Sequence, residues 1–131
     1  MRKMRYIKQI KPVNQTRFGL DTSNKKELGN CFAACVASFL GLETEEIPQV
    51  QEEFQNSNWF TEIESFLSYR TVQMFEYNKK QNKSCPYLAM GVTDRGTYHS
   101  CIYKGSKLLH DPCGGNGLDK ILEKHVFAII F

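Results

Sequence analysis

The apolar pattern of this chain changes period once, a little past its midpoint, and that single change limits the folds open to it. Across Cys31–Leu40 the residues Phe32, Cys35, Val36, Phe39 and Leu40 recur at the i, i+3, i+4, i+7, i+8 spacing of one buried helix face. Ala33, Ala34 and Ala37 raise helix propensity, Gly41 supplies a stop, and Asn30 stands where an N-cap belongs. A second apolar face, formed by Trp59, Phe60, Ile63, Phe66 and Leu67, follows Asn58 as its cap. From residue 71 the pattern alternates instead, and 71–77, 87–92, 97–103, 107–110 and 126–131 read as strands. Thr93-Asp94-Arg95-Gly96 and Gly105-Ser106 are the turns between three of them. Helices first and antiparallel strands later predict an α+β fold, not an alternating α/β one.

The remaining segments fit around that plan. Residues 5–10 offer a short edge strand, 12–29 read as an irregular surface loop, and 44–47 could open a short acidic helix. With 131 residues, no repeat and no linker, the chain is expected to form a single domain over 1–131. Aromatic residues make up 12% and the net charge is only +3, so a packed core is affordable without disulfides. Five cysteines cannot pair off completely, which disfavours a disulfide-built secreted scaffold. No stretch approaches the roughly 18 apolar residues of a membrane span, and the basic start does not lead into a signal-peptide core. A cytoplasmic, reduced protein with no membrane partner is the expectation.

The net charge conceals an asymmetry. Residues 1–26 carry eight basic side chains and one acid, whereas 43–64 holds seven glutamates and no Lys or Arg. A basic arm can contact nucleic acid, but no recognisable nucleic-acid motif accompanies it, so that partner is disfavoured. Pairing of the arm with the protein's own acidic stretch is the simpler expectation.

Chemistry concentrates on three residues. Cys31 opens the first helix, where free backbone N–H groups and the positive end of the helix dipole favour a thiolate and can face an oxyanion. Cys35, one turn on, belongs to the apolar face. His99 lies in one strand, and Asp111 ends the strand that returns after Gly105-Ser106, so a carboxylate can orient the imidazole that deprotonates Cys31. Strand parity sets a condition. A plain two-residue turn leaves Asp111 on the wrong face, so the set requires a bulge or a longer loop in this hairpin.

Gly29-Asn30-Cys31-Phe32-Ala33-Ala34-Cys35, followed by His99 and by Asp111-Pro112, resembles the papain-like cysteine peptidase superfamily. The likeness is closer to the peptidases that cleave double-glycine leaders from bacteriocins, and to small papain-like proteins of bacteria and phages. It implies a papain-like fold with an N-terminal nucleophile helix packed on a C-terminal antiparallel sheet. It also implies cysteine hydrolase activity on a peptide, isopeptide or small amide bond, no cofactor, and a peptide or protein substrate. Deamidation and acyl transfer use the same machinery. Two positions depart from the leader peptidases: Phe32 stands where they have Gly, and Lys25 where they carry the oxyanion Gln. Gln15, on a long irregular loop that can reach Cys31, is the best substitute for that residue, with an ordinary surface Gln as the alternative. A non-catalytic papain-fold protein that binds a host protein is the alternative.

Three further features compete for attention. His99, Cys101, His110 and Cys113 offer zinc-type ligands, but they lack a Cys-x-x-Cys knuckle, and no metal is expected. Cys31 and Cys113 could form a redox pair if both line the cleft, while Cys85 has no assigned role. Gly114-Gly115-Asn116-Gly117 permits close backbone approach, yet it lacks the ending of a phosphate loop.

Overall fold

The computed structural model describes residues 3–19, 29–53 and 59–131. The expected α+β architecture is present, with two α-helices and an antiparallel sheet of six strands. The strands are β1 (Met4–Tyr6), β2 (Val72–Glu76), β3 (Tyr87–Val92), β4 (Tyr98–Lys104), β5 (Lys107–His110) and β6 (Lys120–Ile130). The helices are α1 (Cys31–Leu40) and α2 (Trp59–Ser68). The expected acidic helix is a single 3-10 turn, Thr44–Glu46, closed by a reciprocal Glu43–Glu46 capping box. The proposed Asn58 cap lies outside the described residues.

β6 organises the sheet. Its Ile129 pairs with Arg5 of β1 and with Val72 of β2, and its His125 pairs with Glu76 of β2 and Leu88 of β3. A strand has only two edges, so β1 and β3 lie end to end along one edge and β2 takes the other. β4 and β5 then continue outward from β3. The sequence alone placed the start of this last strand at residue 126, because Lys120, Glu123 and Lys124 interrupt the apolar run. These three side chains stay exposed, and β3 supplies the ladder that makes the segment a strand.

β1 is shorter than the expected 5–10. The Ile7 N–H still donates to Phe127 (2.8 Å), but Lys11 and Val13 donate to the carbonyl and hydroxyl of Ser38 in α1. The chain leaves the sheet edge because the helix offers its backbone a second set of acceptors. This strap carries residues 11–17 past the start of α1 and into the functional region.

Alternation along the strands divides the core in two. Leu88 and Ile102 join Phe32, Cys35, Val36, Phe39, Ile63, Leu67 and Phe127 in the cluster that holds both helices. Tyr87, Ala89, Cys101 and Tyr103 belong to a second cluster with Cys85 and Val126. The helix therefore rests on a sheet buried on both faces, with α1 against β4. Gly41 ends α1 in the left-handed region (φ 71°), as a helix stop requires.

Candidate functional site

The hairpin of β4 and β5 meets the parity condition through a bulge. Its turn is the plain two-residue one, with Lys104 opposite Lys107, but the register shifts so that Ile102 pairs with His110 and Leu109 is extra. Continued past His110, this register puts Asp111 opposite Cys101, on the same side of the hairpin as His99. His99 Nε2 and Asp111 Oδ1 are 2.6 Å apart, and their side chains are only 9% and 4% exposed.

Asp111 is held from several directions. Its Oδ1 accepts from the Cys113 backbone N–H (3.1 Å) and its Oδ2 from the Gly117 N–H (2.9 Å). Burial alone would raise its pKa, but the bonds from His99, Gly117 and Cys113 hold the carboxyl down at about 2. The glycine-rich loop after Pro112 thus serves Asp111 itself. Gly117 takes φ 89°, and a Cβ there would run into the Tyr103 hydroxyl, so no other residue lets the backbone come this close.

Burial favours the neutral form of His99, yet its interaction with Cys31 and the bond and charge of Asp111 together raise its pKa from 6.5 to about 9. Because Asp111 is ionised, Nε2 must carry the proton in the His99–Asp111 bond. Nδ1 is then the ring nitrogen left for Cys31. Cys31 itself is half-buried at the first position of α1.

Asn30 does not cap α1, contrary to the sequence expectation. Its side chain makes no bond to the helix N–H groups. It is fully buried, and its Oδ1 instead accepts from the backbones of Thr16 (2.9 Å) and Arg17 (3.0 Å). Its Nδ2 donates to Thr16 Oγ1, Glu45 Oε2 and Gln49 Oε1. The Thr16 hydroxyl in turn donates to Glu45, and Arg17 pairs with the same carboxylate at 2.6 Å. This network pulls the Glu45 pKa down, chiefly through the bond from Arg17. One member of the basic arm therefore does pair with the acidic stretch, and the fold has diverted the cap to anchor the strap. Asn30 thus leaves the N–H groups in the first turn of α1 without a cap from its side chain.

Gln15 sits where the strap passes the site. Its N–H donates to the Pro112 carbonyl (3.1 Å), and its Nε2 donates to the Arg17 carbonyl (3.0 Å) and lies 3.6 Å from the Cβ position of Gly29. Its Oε1 is buried and has no hydrogen-bond partner among the described residues. The amide is thus positioned between the loop after Asp111 and the residues leading into Cys31.

The other cysteines and histidines separate clearly. Cys35 and Cys101 are fully buried, and burial pushes both thiols up in pKa. His110 donates or accepts no bond at the site: its Nε2 meets the Val13 carbonyl (2.7 Å) and ties β5 to the strap. The four-ligand set of His99, Cys101, His110 and Cys113 is therefore not assembled. Trp59, expected in the core, packs at its margin, edge-on to Phe32 (ring centroids 5.6 Å apart).

Cys113 is the residue that the sequence left unresolved and the fold brings in. It is exposed, with Sγ 3.2 Å from Asp111 Oδ1 and 3.5 Å from His99 Nε2. Burial of its sulfur and the bond to Asp111 raise its pKa, so it remains a thiol donor to the carboxylate. A local signal was available: Asp-Pro followed by Cys-Gly-Gly is an Asx-turn sequence, in which the carboxylate accepts the N–H two residues on.

A surface groove of about 960 Å³ between α2 and β2 carries none of these groups. No helix among the described residues is long and apolar enough to cross a membrane. No protein-family profile, curated protein or solved structure matches the chain.

Proposed function

We propose that this protein is a papain-like cysteine hydrolase that cleaves a peptide, isopeptide or small amide bond through a thioester on Cys31. The observation that carries the reading is the position of His99, hydrogen-bonded to Asp111 at 2.6 Å while an interaction with Cys31 helps to raise the pKa of its ring. An imidazole held in one tautomer by a carboxylate, with a thiol at a helix start acting on the same ring, is the arrangement that nucleophilic thiol chemistry needs.

In this mechanism Nδ1 of His99 takes the Cys31 proton, and the sulfur attacks the carbonyl carbon of the substrate. The uncapped N–H groups at the start of α1, with the Gln15 amide, stabilise the oxyanion. His99 then protonates the leaving amine, the thioester forms, and a water activated by the same ring releases the acid. Asp111 orients the ring and balances the imidazolium charge throughout. Phe32, which replaces the Gly of the leader peptidases, is buried against Trp59, so its bulk goes into the core. Cys113 is the poorer nucleophile of the two near His99, because its proton is committed to Asp111 and it stands on no helix.

Iodoacetamide labelling in mildly acidic buffer, mapped by peptide mass spectrometry, tests the assignment. Cys31 is expected to react first, and His99→Ala to slow it at least about tenfold. Equal labelling of Cys31 and Cys113, or a Cys31 rate indifferent to His99→Ala, would overturn the reading. Turnover of a peptide library by folded wild type, abolished in folded Cys31→Ala, completes the test; a folded wild type that turns over nothing would favour a binding protein.

A further inference from the structure

His99, Asp111 and Cys113 form more than an extension of the triad. Their Nε2, Oδ1 and Sγ atoms all lie within 4.8 Å of one another, and the pairwise separations are 2.6, 3.2 and 3.5 Å. A tetrahedral zinc ion, with bonds of about 2.0–2.3 Å, spaces such ligand atoms roughly 3.3–3.6 Å apart. Two edges of that triangle already stand near this spacing. The third is short because a proton now bridges nitrogen and oxygen.

We propose that these three side chains form a binding site for a divalent transition ion of the zinc type, reached from solvent past Cys113, and that the ion holds Cys31 chemistry off. The donor set supports the class of ion: thiolate, imidazole and carboxylate together suit Zn²⁺, whereas Mg²⁺ and Ca²⁺ take oxygen ligands. Outer contacts of the kind that fix metal ligands are in place. The Gly117 N–H holds the second oxygen of Asp111, and the Cys113 N–H holds the first. Three protein ligands with an exposed sulfur leave a fourth position for water.

The proton balance is explicit. Starting from the doubly protonated ring, the Nε2 proton of His99 and the thiol proton of Cys113 pass to solvent, the metal takes both places, and the ring keeps its Nδ1 proton. Nδ1 then carries the one proton of the ring and cannot accept another from Cys31. The ion is thus an inhibitor of the proposed hydrolase and takes no part in its turnover. The inhibition rests on the proposed function, whereas the binding site rests on the ligand geometry alone.

Calorimetric titration of the reduced protein with Zn²⁺, alongside Co²⁺ absorption spectra, tests the site. Wild type and Cys31→Ala should each bind one ion, with a thiolate-to-cobalt charge-transfer band in the near ultraviolet. Cys113→Ser should lose that band and about 100-fold or more in affinity, since even outer-shell changes cost 10–100-fold. Its iodoacetamide labelling at Cys31 should persist and become insensitive to Zn²⁺. Undiminished binding in Cys113→Ser, binding lost in Cys31→Ala, or folded wild type that binds no ion would each overturn the proposal. Metal binding without any hydrolase activity would leave the site standing and remove only its inhibitory role.

Discussion

His99 Nε2 and Asp111 Oδ1 lie 2.6 Å apart across a hairpin that pairs them only because Leu109 is bulged out. A single extra residue sets which face of β5 leads into Asp111. Without it the carboxylate would point away from the imidazole, and Cys31 would face a histidine with no fixed tautomer.

That pair gives stability a defined pH window. Asp111 is lowered from 3.8 to about 2, so its contribution is present above pH 3.8 and lost as pH falls towards 2. His99 is raised from 6.5 to about 9, so its contribution is full below pH 6.5 and lost as pH rises through about 9. Urea midpoints should therefore be highest between these limits. In Cys31→Ala the largest favourable influences on the imidazolium are gone, and the His99 ring, followed by NMR, should titrate closer to 6.5. An unmoved His99 midpoint would show that Cys31 does not touch the ring.

Asn30→Ala should destabilise the fold by about 2–4 kcal/mol, because it removes a fully buried side chain that accepts from the Thr16 and Arg17 N–H groups and donates to Glu45 and Gln49. The strap carrying Gln15 depends on these bonds. Hydrogen exchange at Thr16 and Arg17 should accelerate while the interior of α1 stays protected. If α1 frays instead, Asn30 is a cap after all.

Gly117→Ala combines a left-handed backbone position with a collision against the Tyr103 hydroxyl. A loss of about 1–3 kcal/mol in thermal or urea unfolding is expected. The displaced N–H would also release Asp111 Oδ2, so the Asp111 carboxyl should titrate higher than in wild type. Stability without that upward shift would mean the loop does not hold the carboxylate.

The pattern of residues along the chain was enough to specify α1 from Cys31 to Leu40, the three strands around Gly105-Ser106, and the order of helices before sheet. These features follow from local periodicity, where each residue's apolar or polar character acts within a turn or two. The sequence also posed the parity condition on His99 and Asp111, since strand alternation is local too. Whether a bulge would satisfy it depended on how β5 sits against β4. Only the tertiary structure diverted Asn30 from its cap to Thr16 and Arg17, since partners 13 and 14 residues away outcompeted the adjacent helix end. Only it extended β6 through its charged half, where β3 supplied the missing hydrogen bonds. It also gathered Cys113 beside His99, 14 residues earlier, into a site whose parts lie on separate elements. Contacts of that range are set by how strands and loops pack, and no local spacing encodes them.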